Sequence, residues 1–420
     1  MIEKKKSLLL AAIIGSLALT GCGGGSDDDT PPPGFEDGGG GGHTATPKTE
    51  IPPISRSNSS AKALINAPDS MSGANIIVAV GDSGVFSEHT ELEGTMIDGR
   101  SAAFATEMNA PDYKRELVTN LPDDYRPDDA PNLSQSAIAH GTGVSSLIFG
   151  ENTGLLSDGT LLAMDIMYRG SVTDGDYDPV STHPDLSAAF LATEALSFSS
   201  IDFINLSISG TGTYVKPGDY TTPGDISQKY VEGIDVGVIG VAGNMSLDFS
   251  EVFASTTPKC TEEEWDAEPP GIGGRCYAIE FWRGAYVLIP LHDDELREQF
   301  IFAVAVDNNG RKADFSGYPG ENEKIQQRFI SAPGVSLDLA SHQDTDRYSR
   351  GSGTSYAAPI ITAAAAAVKS KFSSLSSAAV FQALLDTADD TFAGYNPNHH
   401  GMGILDIGAA LNINPLDYID

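Results

Sequence analysis

Few features of this 420-residue chain are as informative as what it has little of. Basic residues are scarce: 25 lysines and arginines stand against 58 aspartates and glutamates, a formal charge of −33. That field repels phosphate backbones and excludes a nucleic-acid partner as the working expectation. Long apolar runs are missing too. The longest, Leu8 to Thr20, covers 13 residues, too short to span a bilayer comfortably. No later segment reads as transmembrane. Cysteine occurs three times, at Cys22, Cys260 and Cys276, so a disulfide-framed scaffold is excluded and at most one bridge is available if one cysteine is used otherwise. Hydrophobic content of 40% still supports a sizeable core.

The N-terminus has the layout of an export signal. Lys4, Lys5 and Lys6 precede the apolar run. The run ends in Leu19-Thr20-Gly21-Cys22, which resembles the bacterial lipobox, in which the cysteine is lipidated and becomes the mature N-terminus. The expectation is a signal peptide over 1–21 and a lipid anchor at Cys22, since two or more acyl chains hold a protein firmly to a membrane. In an exported protein the remaining pair, Cys260 and Cys276, is expected to form a disulfide across 15 intervening residues. The glycines after Cys22 lean towards an outer-membrane or cell-surface address.

From Gly23 the chain reads "GGGSDDDTPPPGFEDGGGGGHTATPK". Such a segment cannot bury a core, so 22–73 is expected to be a flexible tether and 74–412 the folded part, with a short tail over 413–420. Continuous apolar runs predict strands at Ile76–Val80, Leu161–Met167, Ile201–Ile208, Val236–Val241 and Phe300–Val306. Runs without alternation suit a parallel sheet buried on both faces. Helical patterns lie between them, as at Pro184–Leu196 and Ile226–Gly233. The alternation predicts a three-layer α/β domain with a mainly parallel central sheet covered by helices on both faces. In such sheets functional groups gather at the carboxyl ends of strands. Asp82 and Asn244 both fall there.

Three strings carry chemistry. In "RGSGTSYAAPIITAAAAAVKSKF", Thr354 and Ser355 precede a run of strong helix formers. A serine at that point faces unpaired backbone N–H groups at the positive end of a helix, which favours an oxyanion forming beside it. Pro359 is unexpected there, because it removes an amide from the early turns. In "AIAHGTGVSSLIFG", His140 opens a helical pattern and is read as capping it, with little side-chain bulk around the imidazole. In "IIVAVGDSGV", Asp82 and Ser83 stand side by side at a strand end. A Gly-Asp-Ser block can present a serine nucleophile in one class of esterases. Those enzymes also carry a late Asp-x-x-His, and none of the eight histidines here has aspartate three positions before it.

Gly-Thr-Ser-Tyr-Ala-Ala-Pro resembles the nucleophile motif of subtilisin-like serine proteases. His140-Gly-Thr resembles that family's His-Gly-Thr-His-Val-Ala-Gly segment. It departs from it at Gly143, where a second histidine is common, and again over Ser145 to Leu147. "VAVGDSGVFSEHTEL" resembles the aspartate segment, with Glu-His-Thr-Glu-Leu in place of His-Pro-Asp-Leu. The order Asp82, His140, Ser355 is the subtilisin order. The resemblance implies an Asp82–His140–Ser355 triad working through an acyl-enzyme, with Ser83 a local neighbour. "VIGVAGN" implies Asn244 as an oxyanion donor, and "INLSISG" implies Ser207, Ile208 and Ser209 as substrate wall. "FAVAVDNNGRKADFSGYPG", "FISAPGVSL" and "HHGMGILDIGAAL" are weaker echoes, so the resemblance runs from about Ala74 to Leu411.

The implied protein is a monomeric, lipid-anchored serine endopeptidase acting on proteins or peptides and requiring no cofactor. Structural calcium is common in the family, but no ligand set, and no catalytic metal, can be assigned from this sequence. Ala102–Ser136 and Asp248–Gln299 run longer than in compact members. The second carries both Cys260 and Cys276, and is expected to shape specificity. A folded pro-domain is not evident, and folding is expected to need nothing upstream of about Ile65. Two alternatives stay open: a catalytically silent surface-binding module on the same fold, and a passenger of an autotransporter-like system.

Overall fold

The computed structural model describes residues 57–82, 84–97, 102–105, 116–118, 135–165, 201–207, 235–254, 297–342 and 344–419. Among them, a nine-stranded sheet forms the centre. Its strands are β1 (Ile77–Asp82), β2 (Met96–Ile97), β3 (Ala102–Ala105), β4 (Glu116–Val118), β5 (Thr160–Asp165), β6 (Phe203–Asn205), β7 (Gly237–Val241), β8 (Phe300–Val306) and β9 (Phe329–Pro333). The order is β4-β3-β5-β1-β6-β7-β8-β9, with β2 also paired to β5. Every pairing is parallel except that of the edge strand β4 with β3. A separate antiparallel hairpin joins β10 (Leu337–Ala340) to β11 (Tyr348–Gly351).

The strands are continuous apolar runs because both faces are covered. All seven residues of β8 are buried. Ile301, Ala303 and Ala305 belong to the large core that also holds α2 (Gln135–Phe149) and α3 (Thr354–Lys371). The alternate residues Phe300 and Phe302 are buried on the opposite face, where Phe302 and Phe249 both pack against Phe329. Helix α3 lies close to the sheet because Ala363 to Ala367 are all at most 2% exposed. Their small side chains allow the backbone to approach, and alanine is the strongest helix former. Helix α4 (Ser377–Asp386) adds Phe381, whose ring packs on Phe203. The α/β architecture read from the sequence is the one observed.

Several details differ. The first strand extends to Asp82 itself, so that carboxylate ends the strand rather than following it. The third expected strand is only Phe203–Asn205. Strands β3 and β4 lie within 102–136, which the sequence presented only as a long insertion. Packing also begins before Ala74. Helix α1 (Ser59–Leu64) and the residues after it bring Ala61, Ile65 and Met71 into the core. The expected helices at 184–196 and 226–233 lie outside the described residues.

Two polar clusters fix the loop after α2 against the segments around it. Asn58, in the left-handed region at φ 47°, donates through Nδ2 to the carbonyls of Thr153 and Asp338, and accepts from the Asp338 amide. It ties the N-terminal segment to the loop after α2 and to β10. Glu91, 1% exposed, accepts from the Asn152 and Thr153 amides, the Asn152 side-chain amide, the Thr153 hydroxyl and the Tyr348 phenol. Beside it, His89 accepts at Nδ1 from the Glu91 amide and donates from Nε2 to the Arg347 carbonyl. Burial alone would raise the Glu91 carboxyl, but the bonds from Thr153, Tyr348 and Asn152 outweigh it and hold the group below its usual range.

A depressed carboxyl contributes stability that is present above its unfolded value, near ~4.3, and is lost as pH falls through the folded value. The melting temperature should therefore drop on acidification below that unfolded value. Glu91→Gln should melt lower at pH 7 and show a shallower acid limb in scanning calorimetry; parallel limbs would contradict this. Asn58→Ala leaves the Asp338 amide without its acceptor, and should cost about 1–3 kcal/mol in a denaturant titration.

Candidate active site

The parallel sheet puts its carboxyl ends on one edge, and three of the polar residues singled out in the sequence fall there. Asp82 ends β1 and is 1% exposed. Asn205 ends β6, with Ser207 two residues on. Asn244 follows β7. Facing them are His140 on α2 and Ser355, the second residue of α3.

Asp82 and His140 meet directly. Nδ1 of the imidazole lies 2.9 Å from both carboxylate oxygens, with the histidine side chain 23% exposed. A carboxylate only accepts, so Nδ1 carries the proton and Nε2 presents a lone pair. The pair is therefore set as a base with its basic nitrogen turned away from the acid.

The two residues after His140 belong to the same joint. A Cβ at Gly141 would stand 2.1 Å from the Gly84 carbonyl oxygen and 3.2 Å from Asp82 Oδ1, so only glycine lets the loop after β1 pass. Thr142, fully buried, accepts from the Phe86 amide at 2.9 Å. His-Gly-Thr thus contributes a base, a gap and an anchor, each against the chain that follows Asp82. Helix α2 starts at Gln135, so His140 lies inside the helix and does not cap it. The preceding Gln-Ser-Ala-Ile-Ala contains good helix formers that extend it upstream.

Ser355 sits on a helix start with no side-chain cap of its own, the N-cap being Gly353. The cap comes from another strand. Asn244 Oδ1 accepts from the Thr354 amide at 2.9 Å and from the Thr354 hydroxyl at 3.0 Å. Because a backbone N–H requires an acceptor, the amide's orientation is fixed: oxygen toward Thr354, NH2 group away from it.

Pro359 explains a second contact. In a regular helix residue 359 would donate to the carbonyl of residue 355, and proline cannot. The Ser207 hydroxyl donates to that carbonyl instead, at 2.8 Å. Ser207 in turn accepts from Asn205 Nδ2 at 2.8 Å, and Asn205 Oδ1 lies 3.0 Å from the Thr362 hydroxyl. Asn205 and Thr362 are fully buried and Ser207 is 1% exposed. The Ser207 side chain, expected at the substrate wall, is therefore directed into the interior, under the nucleophile candidate. Asn205 and Thr362 were not singled out from the sequence. The usable signal was Pro359: a carbonyl deprived of its donor inside a core must find another.

Ser83, Ile208 and Ser209 lie outside the described residues, as do Cys22, Cys260 and Cys276 with their expected lipid anchor and disulfide. Among the described residues no group of three or more His, Cys, Asp or Glu could hold a metal ion. No described helix is long and apolar enough to cross a membrane.

The parallel α/β domain carries an aspartate–histidine pair and a serine-bearing helix start near its strand ends, and sequence comparison gives the family. Residues 73–403 match the family model for peptidase S8, the subtilase family. The chain belongs to the subtilase family. Among curated proteins it is 40% identical over 106 residues to "Thermostable alkaline protease" of Halalkalibacterium halodurans, 25% of this chain and 26% of that protein. It is 31% identical over 134 residues to "Serotype-specific antigen 1" of Mannheimia haemolytica, 31% of this chain and 14% of that protein. It is 29% identical over 135 residues to "Neisserial autotransporter lipoprotein NalP" of Neisseria meningitidis, 30% of this chain and 12% of that protein. The matched segments thus span only about an eighth to a quarter of those relatives.

Among solved structures, the MycP3 protease from the type VII (ESX-3) secretion system superposes with a TM-score of 0.52 at 20% identity, covering 86% of this chain and 89% of that one. A structure described as "S41 Psychrophilic Protease" gives 0.52 at 20%, covering 84% and 99%. At that identity the likeness speaks for the fold alone.

The Ser207 contact can be tested by giving the carbonyl its helix donor back. Ser207→Ala should cost about 1–3 kcal/mol in unfolding free energy. Pro359→Ala, which restores an amide four residues after Ser355, should recover part of that loss in the double variant. Additive losses would contradict the assignment.

Proposed function

We propose that the chain is a serine endopeptidase that hydrolyses peptide bonds in proteins through Asp82, His140 and Ser355. The observation that carries this reading is the Asp82–His140 pair, its 2.9 Å contacts fixing the tautomer that leaves Nε2 basic. It is supported by Ser355 at the second position of α3 and by membership of the subtilase family.

In this reading Ser355 attacks the scissile carbonyl while His140 Nε2 accepts its proton. Asp82 holds the imidazole and stabilises the imidazolium. The Ser355 amide and the Asn244 NH2 group donate to the tetrahedral oxyanion, the amide oxygen of Asn244 being occupied by Thr354. His140 then returns the proton to the leaving amine, and water repeats the sequence on the acyl-enzyme. Substrate backbone pairs along the segment that starts at Ser207 and continues through Ile208 and Ser209. Neither a metal nor an organic cofactor takes part in these steps.

We further propose export and a diacylated anchor at Cys22, with Cys260 and Cys276 bridged. The export-type N-terminus supports this, and so does a relative named as an autotransporter lipoprotein.

The test uses the full chain with unfolded casein. The parent should cleave casein and Ser355→Ala should not. Asn244→Ala should lose about 10²–10³ in turnover with its fold intact. A folded parent with no cleavage would favour a silent binding module on the same scaffold.

A further inference from the structure

The residue after the nucleophile candidate is a tyrosine, and its ring has been given room by two glycines on different elements. Tyr356 is 4% exposed. Its centroid lies 5.6 Å from that of the His140 imidazole, with the planes tilted by 38°. On one edge of the ring, a Cβ at Gly351 of β11 would stand 2.5 Å from Cε2 and 2.9 Å from Cζ, closer than such atoms approach. On the other edge, a Cβ at Gly143 would lie 3.7 Å from Cε1. That contact is ordinary for a methyl group. Gly143 follows His140 by three residues on α2, so both occupy one face of the helix. Leu339 lines the same slot, 2.6 Å from the Cβ position at 351 and 3.4 Å from that at 143.

We propose that Tyr356 is a positioning residue for His140, resting on the triad reading given above. The ring is wedged between Gly143 and Gly351 and packs against the imidazole, which limits its rotation away from Asp82. Aromatic pairs at this separation attract beyond their shared burial. A rotation that breaks the Nδ1 contact would have to displace a ring that Gly351 closes off on one edge, with about a methyl group's room at Gly143 on the other. The same helix start thus carries both the nucleophile candidate and the brace for its base.

The test reads His140 directly as well as turnover. A proton on Nδ1 bonded to a buried carboxylate resonates far downfield, and His140→Ala assigns that signal in the full chain. Tyr356→Ala should broaden or abolish it and lower kcat by about 10–100-fold, the range expected for a misplaced reacting group, while KM changes little. Tyr356→Phe, which keeps the ring, should restore both. Gly351→Ala should weaken the signal in the presence of Tyr356, and add little to Tyr356→Ala. A sharp, unshifted Nδ1 signal in folded Tyr356→Ala would overturn the proposal, as would additive effects of the two substitutions. If the parent shows the signal but cleaves nothing, the peptidase reading fails while the brace is still judged by the spectrum.

Discussion

Everything at the carboxyl edge depends on one buried carboxylate finding a partner. Asp82 is 1% exposed at the end of β1, which lies in the interior of the sheet between β5 and β6. A charge in that place costs several kcal/mol unless it is paired and hydrogen-bonded. The imidazole of His140 meets it with both contacts at 2.9 Å. To bring the ring there, α2 must come within reach of the loop after β1, and this is what Gly141 and Thr142 accomplish. The loop is held further out by Glu91, whose five donors come from the turn after α2 and from β11. The acid, the base and the hairpin leading to Ser355 are thereby parts of one cross-linked region.

The second constraint is the start of α3. A helix N-terminus leaves its first amides unpaired, and a proline at residue 359 also frees the carbonyl of Ser355. Both defects are met from neighbouring strand ends, the first by Asn244 and the second by Ser207. The polar groups along this edge therefore hold the start of α3 in place. Asn244 caps the helix with its oxygen, which turns its nitrogen away from Thr354. Ser207 supports the nucleophile candidate from beneath.

How legible this was in the sequence varied with the kind of information needed. The parallel sheet followed from apolar runs, because two buried faces leave no alternation to misread; Phe300–Val306 was found to the residue. Short or half-exposed strands were not legible. β2 has two exposed residues, and β10 and β11 form a hairpin whose pattern is mixed. The start of α2 was not legible because the apolar spacing of Val144, Leu147 and Ile148 begins only after His140, while Gly141 there answers to a close approach by Gly84. The N-terminal boundary was obscured by the low-complexity segment before it, although Ala61 and Ile65 pack into the core. Side-chain direction was the least accessible feature. Ser207 stands on the predicted segment, but only the loss of the 359 amide decides that its hydroxyl points inward.

The proposed chemistry rests on Ser355 as the nucleophile and His140 as its base. The most direct measurement is to treat the full chain with a fluorophosphonate and locate the adduct by peptide mass spectrometry. The account requires a single phosphonyl group on the peptide carrying Ser355, and its absence from His140→Ala. An adduct on another residue, or no adduct on a folded parent chain, would contradict it.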